Sequence, residues 1–140
     1  MNRRAILLAF LLIGMGFSLI ACKPSSDTPT AVTERFFSAF ASADYETMKA
    51  YCTEECVKSY FHNGDVNGMV WAKLTECGDE EIADDAIVHI FVSVEMETAE
   101  TSALYPETQT SFYVELIRNN DDLWLIKGFF TGGIEKRRKL

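Results

Sequence analysis

"AIVHIFVSVEMET" (86–98) is the stretch on which the fold turns. Val88, Ile90, Val92, Val94 and Met96 share one side of a two-residue period, and Ile87, His89, Phe91, Ser93 and Glu95 share the other. Successive side chains of a strand point to opposite faces, so these residues read as a long strand with one fully apolar face. Toward the C-terminus, "TQTSFYVELIRN" (108–119) alternates in the same way, with Phe112, Val114 and Leu116 opposed by Tyr113, Glu115 and Ile117. "NNDD" (119–122) has the chemistry of a hairpin turn, and "LWLIKGFF" (123–130) reads as the returning strand.

Toward the N-terminus the period changes. Thr28-Pro29 is a cap followed by a first-turn proline, and Val32, Phe36, Phe40 and Ala43 then form one apolar stripe of a helix ending near Ser42. Asp44 is suited to cap a second helix, "DYETMKAYCTEEC" (44–56), with Met48, Tyr51 and Cys52 inward. "HNGDVNG" (62–68) is turn chemistry, "MVWAKLTEC" (69–77) suggests a short third helix, and "GDEEIADD" (78–85) an acidic loop. Helices followed by an antiparallel meander give an α+β fold, with N-terminal helices packed on a curved antiparallel sheet.

The chain opens as a targeting segment. Arg3 and Arg4 precede the apolar run "AILLAFLLIGMGFSLIA" (5–21), which Gly14 and Gly16 interrupt. Leu19-Ile20-Ala21-Cys22 resembles the lipobox of bacterial lipoproteins. The resemblance implies cleavage between Ala21 and Cys22, diacylglycerol on the Cys22 thiol, acylation of the new amino terminus, and an extracytoplasmic, membrane-anchored protein. An ordinary cleaved signal or an uncleaved anchor is the alternative. The expected organisation is a signal peptide over 1–21, a flexible Pro/Ser/Thr tether over 22–29, one domain over 30–133 and a basic tail over 134–140.

The full chain carries 13 Lys+Arg against 21 Asp+Glu, and losing Arg3 and Arg4 with the leader takes its formal charge from −8 to −10. An acidic domain of this kind lacks the basic face that nucleic acid requires. With Cys22 lipidated, Cys52, Cys56 and Cys77 remain, an odd number for an exported protein. Cys52 and Cys56 are four apart on an expected helix, awkward for bridging each other, so the expected disulfide joins one of them to Cys77. No histidine stands at ligand spacing, and the acidic stretch lacks the alternation and turn glycine of a calcium loop; no metal or cofactor is expected.

Two segments resemble the nuclear transport factor two-like superfamily, also called the cystatin-like or ketosteroid-isomerase-like cone. "AVTERFFSAFASADYETMKAY" (31–51) is similar to its opening helix pair, and "YVELIRNNDDLWLIKGFF" (113–130) to its last hairpin. The resemblance spans residues 30–131 and implies a cone-shaped, cystatin-like roll. The family usually has at least four long strands, whereas three are legible here; "CVKSYFHNG" (56–64) would supply a short edge strand.

In that fold Phe36, Phe40, Tyr51, Trp71, Phe91 and Trp124 are candidates to line a pocket, although aromatics of this kind are mainly core. Isomerase members use a pocket carboxylate with a hydrogen-bond donor opposite. Here His89, Tyr113, Glu95 and Glu115 are the candidates for such acid–base work, with a solvated or satisfied sheet face as the plainer reading. Asp44 is explained by its cap role. The leading expectation is a lipid-anchored domain that binds a small ligand or an envelope protein without catalysis; the alternative is an acid–base isomerase or hydrolase using His89 with Tyr113 or a glutamate. The family's tendency to pair through the open sheet face adds a homodimer as a further possibility.

Overall fold

Thr28 and Pro29 begin the first helix as their chemistry requires. The computed structural model describes residues 27–100 and 108–131. In it α1 runs Pro29–Ala41, and the Thr28 hydroxyl accepts a hydrogen bond from the Ala31 N–H at 3.1 Å. The inward stripe is wider than the four-residue spacing suggests: Val32, Thr33, Phe36, Phe37, Ala39 and Phe40 are all buried. Ala43 is not part of it. It sits exposed in a left-handed turn (φ 52°) that reverses the chain into α2.

The expected second helix is two. Asp44 caps α2 (Tyr45–Ala50), and Thr53 caps α3 (Glu54–Tyr60). The break between them has a tertiary cause. The Ile126 N–H donates to the Tyr51 carbonyl at 2.8 Å and the Thr53 N–H to the Ile126 carbonyl at 2.9 Å, so Cys52 lies beside the last strand as a parallel bridge. A helix through 51–53 would have to give up both bonds.

The sheet is six-stranded and antiparallel, in chain order: β1 (Phe61–His62), β2 (Asp65–Val66), β3 (Met69–Asp84), β4 (Ile87–Thr98), β5 (Gln109–Arg118) and β6 (Trp124–Phe130). β4 and β5 stand where the alternation places them, and β6 follows the expected turn, with its period broken at Lys127. β1 takes only Phe61 and His62 from the expected 56–64 edge strand; most of that segment is α3.

The largest correction is β3. Residues 69–77 are not a helix, and of the expected loop 78–85 only Asp85 lies in a turn: 69–84 form one 16-residue strand paired with β4 from Met69↔Thr98 to Asp84↔Ile87. Four register shifts, between Met69/Trp71, Leu74/Glu76, Cys77/Glu80 and Ile82/Asp84, explain why its sequence lacks a two-residue period. Each bulge moves the following side chains to the other face, so Val70, Trp71 and Leu74 imitate helical spacing. At Gly78, within the third irregularity, a Cβ would come 2.9 Å from the Phe91 carbonyl oxygen. The same bulges bend the sheet around α1.

The core lies between the helices and one sheet face. Phe36, Phe37 and Phe40 interlock with Phe112 and Phe129, at ring-centroid distances of 5.1 to 6.4 Å, over Val88, Ile90, Val92, Val114, Leu116 and Ile126. The architecture is therefore α+β, three helices packed on one face of a curved antiparallel sheet.

Candidate functional site

The other face of β4, β5 and β6 contributes nothing to that core. Its side chains stand in rows set by the register. Ile87, Ile117 and Leu125 align as an aliphatic row, and His89 pairs with Glu115 in the next. Phe91, Tyr113 and Phe130 form an aromatic row, followed by Ser93 beside Ser111 and Glu95 beside Gln109. Tyr113 stacks on Phe130 at 5.3 Å with an interplanar angle of 13°, and Phe91 leans on Tyr113 at 5.1 Å. Phe91 is 43% exposed, an unusual position for a large apolar ring.

The polar row beneath these rings is buried: His89 is 3% exposed and Glu115 7%. The His89 Nε2–H donates to Glu115 Oε2 at 2.8 Å, and Lys127 Nζ lies 3.7 Å from Glu115 Oε1. Phe130 covers the imidazole edge-on at 4.9 Å. His89 Nδ1 is buried without a hydrogen-bond partner. The alternation alone places His89 and Tyr113 on this face; the pairing with Glu115 needs the β4–β5 register, and no tight turn specifies that register.

The acid–base candidates divide accordingly. His89 and Glu115 meet, Tyr113 packs its ring 6.5 Å from the imidazole, and Glu95 lies further along β4, exposed opposite Gln109 and Lys73. The pocket-lining candidates do not converge. Phe36, Phe40 and Tyr51 are core. The Trp71 indole N–H donates to the Ala41 carbonyl at 2.8 Å, Trp124 packs under the Arg118 guanidinium at 4.9 Å, and Phe91 belongs to the outer face.

Two of the depressions among the described residues bear on this. One, of about 390 Å³, is lined by Asn67, Met69, Thr110, Phe112, Phe129 and Phe130. The other, of about 430 Å³, lies between the start of α1 and the β3–β4 turn, and its lining includes Asp27, Glu80, Asp84, Asp85, Arg118 and Trp124. Neither is lined by His89, Tyr113, Glu95 or Glu115.

Cys52, Cys56 and Cys77 are free thiols in this structure. Cys77 stands mid-way along β3, opposite Val92. Burial and the nearby Glu34 and Glu80 carboxylates raise its pKa. Cys52 and Cys56 are both buried, and hydrogen bonding with the Cys56 thiol, followed by burial, pushes the Cys52 thiol up. Among the described residues no group of three or more His, Cys, Asp or Glu could hold a metal ion, and no helix is long and apolar enough to cross a membrane. Ala21, Cys22, the leader and the basic tail lie outside the described residues. No protein-family model and no curated protein matches the chain.

Proposed function

We propose that the protein is an extracytoplasmic lipoprotein, anchored through Cys22, whose nuclear transport factor two-like, cone-shaped domain acts by binding rather than catalysis. The binding surface is the outer face of β4–β6, and its ligand is an envelope protein. The observation that carries this reading is the contrast between the two sides of the sheet. The concave side, where a cone would hold a small ligand, is packed with Phe36, Phe37, Phe40, Phe112 and Phe129, with the depression of about 390 Å³ beside Phe112 and Phe129. The opposite side presents Phe91 over Tyr113 and Phe130, with an aliphatic row alongside.

The surface has the composition of a binding patch: rigid aromatics at the centre, polar and charged residues around them. Glu76, Glu81, Glu95 and Glu97 border it on β3 and β4, so a partner with an apolar strip and basic flanks fits best. The acid–base alternative has less support. His89 Nε2 is engaged by Glu115, and Nδ1 is shut away from solvent, so neither nitrogen is placed to take a substrate proton.

The test is photo-cross-linking in membranes. A photoreactive residue at position 91 is expected to trap a discrete partner, and one at the exposed helical Glu46 to trap none. Equal trapping from both positions, or from neither, would refute the surface. Adducts of exactly twice the chain mass would instead identify the partner as a second copy.

A further inference from the structure

We propose that residues 132–140 of this chain fold back across the outer face of β4–β6 and cover it, so that a partner must displace them to bind. This cover rests on the binding face proposed above and adds a control to it. The segment "GGIEKRRKL" (132–140) lies outside the described residues, but the point where it leaves the sheet is fixed. β6 ends at Phe130, whose ring stacks on Tyr113 at 5.3 Å, and Thr131 follows at the end of the aromatic row. Beside that row runs a low one, Ser111 and Ser93, whose hydroxyls are 2.9 Å apart. Small side chains there leave a step, with the rings on one side and Gln109 and Glu95 on the other. Ser93 pairs with Glu76 on β3, and Glu97 lies two residues beyond Glu95. Glu76, Glu95 and Glu97 are all exposed, and with Lys73 opposite Glu95 the group still carries net negative charge.

The segment has the matching chemistry. Lys136, Arg137, Arg138 and Lys139 form a basic run that outweighs Glu135, with Ile134 and Leu140 apolar on either side. Reach is sufficient: residues 132–140, extended at about 3.3–3.6 Å each, span more than the three strand spacings of about 4.8 Å between β6 and β3. Ile134, nearest the exit, meets the aromatic rings, and the basic run continues along the serine step to the glutamates. Tethered at Thr131, the segment competes at an effective concentration of about 1 mM without any strong contact. Exposed ion pairs are individually weak, so the cover is displaceable rather than permanent. Anionic lipid is the rival for such a basic run, and the test is therefore made on a lipid surface.

The full chain is purified with a photoreactive residue at position 140 and reconstituted in vesicles of phosphatidylcholine and phosphatidylglycerol. Illumination is expected to join position 140 to the tryptic peptide Leu74–Arg118, at residues of the outer face and within a single chain. Attachment to lipid alone, to another peptide or to nothing overturns the cover. In a mixture of ordinary and isotopically labelled protein, hybrid adducts would assign the segment to a second copy and overturn the intramolecular contact. The chain carrying Glu76→Gln, Glu95→Gln and Glu97→Gln keeps these exposed positions polar and should lose the link several-fold; an equal yield would overturn the path. No partner is present, so this result stands apart from whether an envelope protein binds. Competition is read in membranes, where Lys136→Gln, Arg137→Gln, Arg138→Gln and Lys139→Gln together should raise trapping of the partner from position 91 several-fold. Unchanged trapping overturns the competition. No trapping from either chain refutes the binding face alone, and the direct link then decides the cover.

Discussion

The two faces of β4 and β5 are made from interleaved residues of the same strands, yet they obey different rules. On the helix side, Val88, Ile90, Val92, Val114 and Leu116 are apolar, at most 3% exposed and part of one hydrophobic cluster. On the other side, a hydrogen-bonded histidine–glutamate pair is buried beside aromatics that themselves meet solvent. The first face gains from area removed from water. The second spends part of its burial on desolvating His89 and Glu115, a cost that stability alone does not explain. A face built only for stability would carry an aliphatic pair at 89 and 115.

The contrast can be broken most forcefully from the core. Phe36→Ala removes a ring packed against Phe37, Phe40 and Phe129, and should cost about 3–5 kcal/mol in urea unfolding. On the outer face, Glu115→Leu strands a buried histidine and should cost about 1–3 kcal/mol; the double variant with His89→Leu should recover much of that loss. If the double variant is no better than the single, the pair is not the unit described here. Gly78→Ala tests the bulge that bends both faces. Its Cβ would press on the Phe91 backbone, and a loss of about 1–3 kcal/mol is expected.

Acidification gives a subtler readout at the helix joint. Hydrogen bonds from the Thr47 hydroxyl and N–H hold the Asp44 carboxyl below its ordinary value of 3.8. A depressed folded pKa means the cap contributes fully above the ordinary value and is lost as pH falls through the lowered one. Thermal unfolding of Asp44→Asn should therefore show less acid sensitivity than the parent in that window, and an equal acid response would remove Asp44 from the account. The smallest effect is expected at Phe91→Ala, within about 0.5 kcal/mol of the parent in stability, while cross-linking from a neighbouring position on the outer face is lost. A large stability loss there would turn the exposed ring back into core.

Much of this fold was legible because several segments obey local rules. β4 and β5 keep a two-residue period, an Asn/Asp turn announces β6, and Thr28, Pro29 and Asp44 are the residue types that start helices. β3 was not legible, since its bulges scramble the period and its face is assigned only by pairing with β4. The division of α2 from α3 was equally hidden, because Ile126, 74 residues beyond Cys52, imposes it. The outer face of β4–β6 falls between these cases. Alternation alone put His89 and Tyr113 on one side, but the meeting of His89 with Glu115 depends on a register that no tight turn encodes. Phe37, missing from the four-residue stripe, joins the core because α1 is enclosed by the sheet on a broader arc.

The bulges of β3 have a further consequence, for how this sheet can meet other chains. An open sheet can grow by accepting a foreign strand along either edge. On one side β2 pairs with β3 only at Val66↔Met69, leaving most of that margin irregular and lined with Glu76, Asp79, Glu80, Glu81 and Asp84. On the other, the Tyr51–Thr53 backbone already occupies β6 at Ile126. Both margins are poor templates for polymerisation, so the broad side of the sheet is left open to contact, where recognition would depend on ring shape and charge rather than on shared backbone bonds.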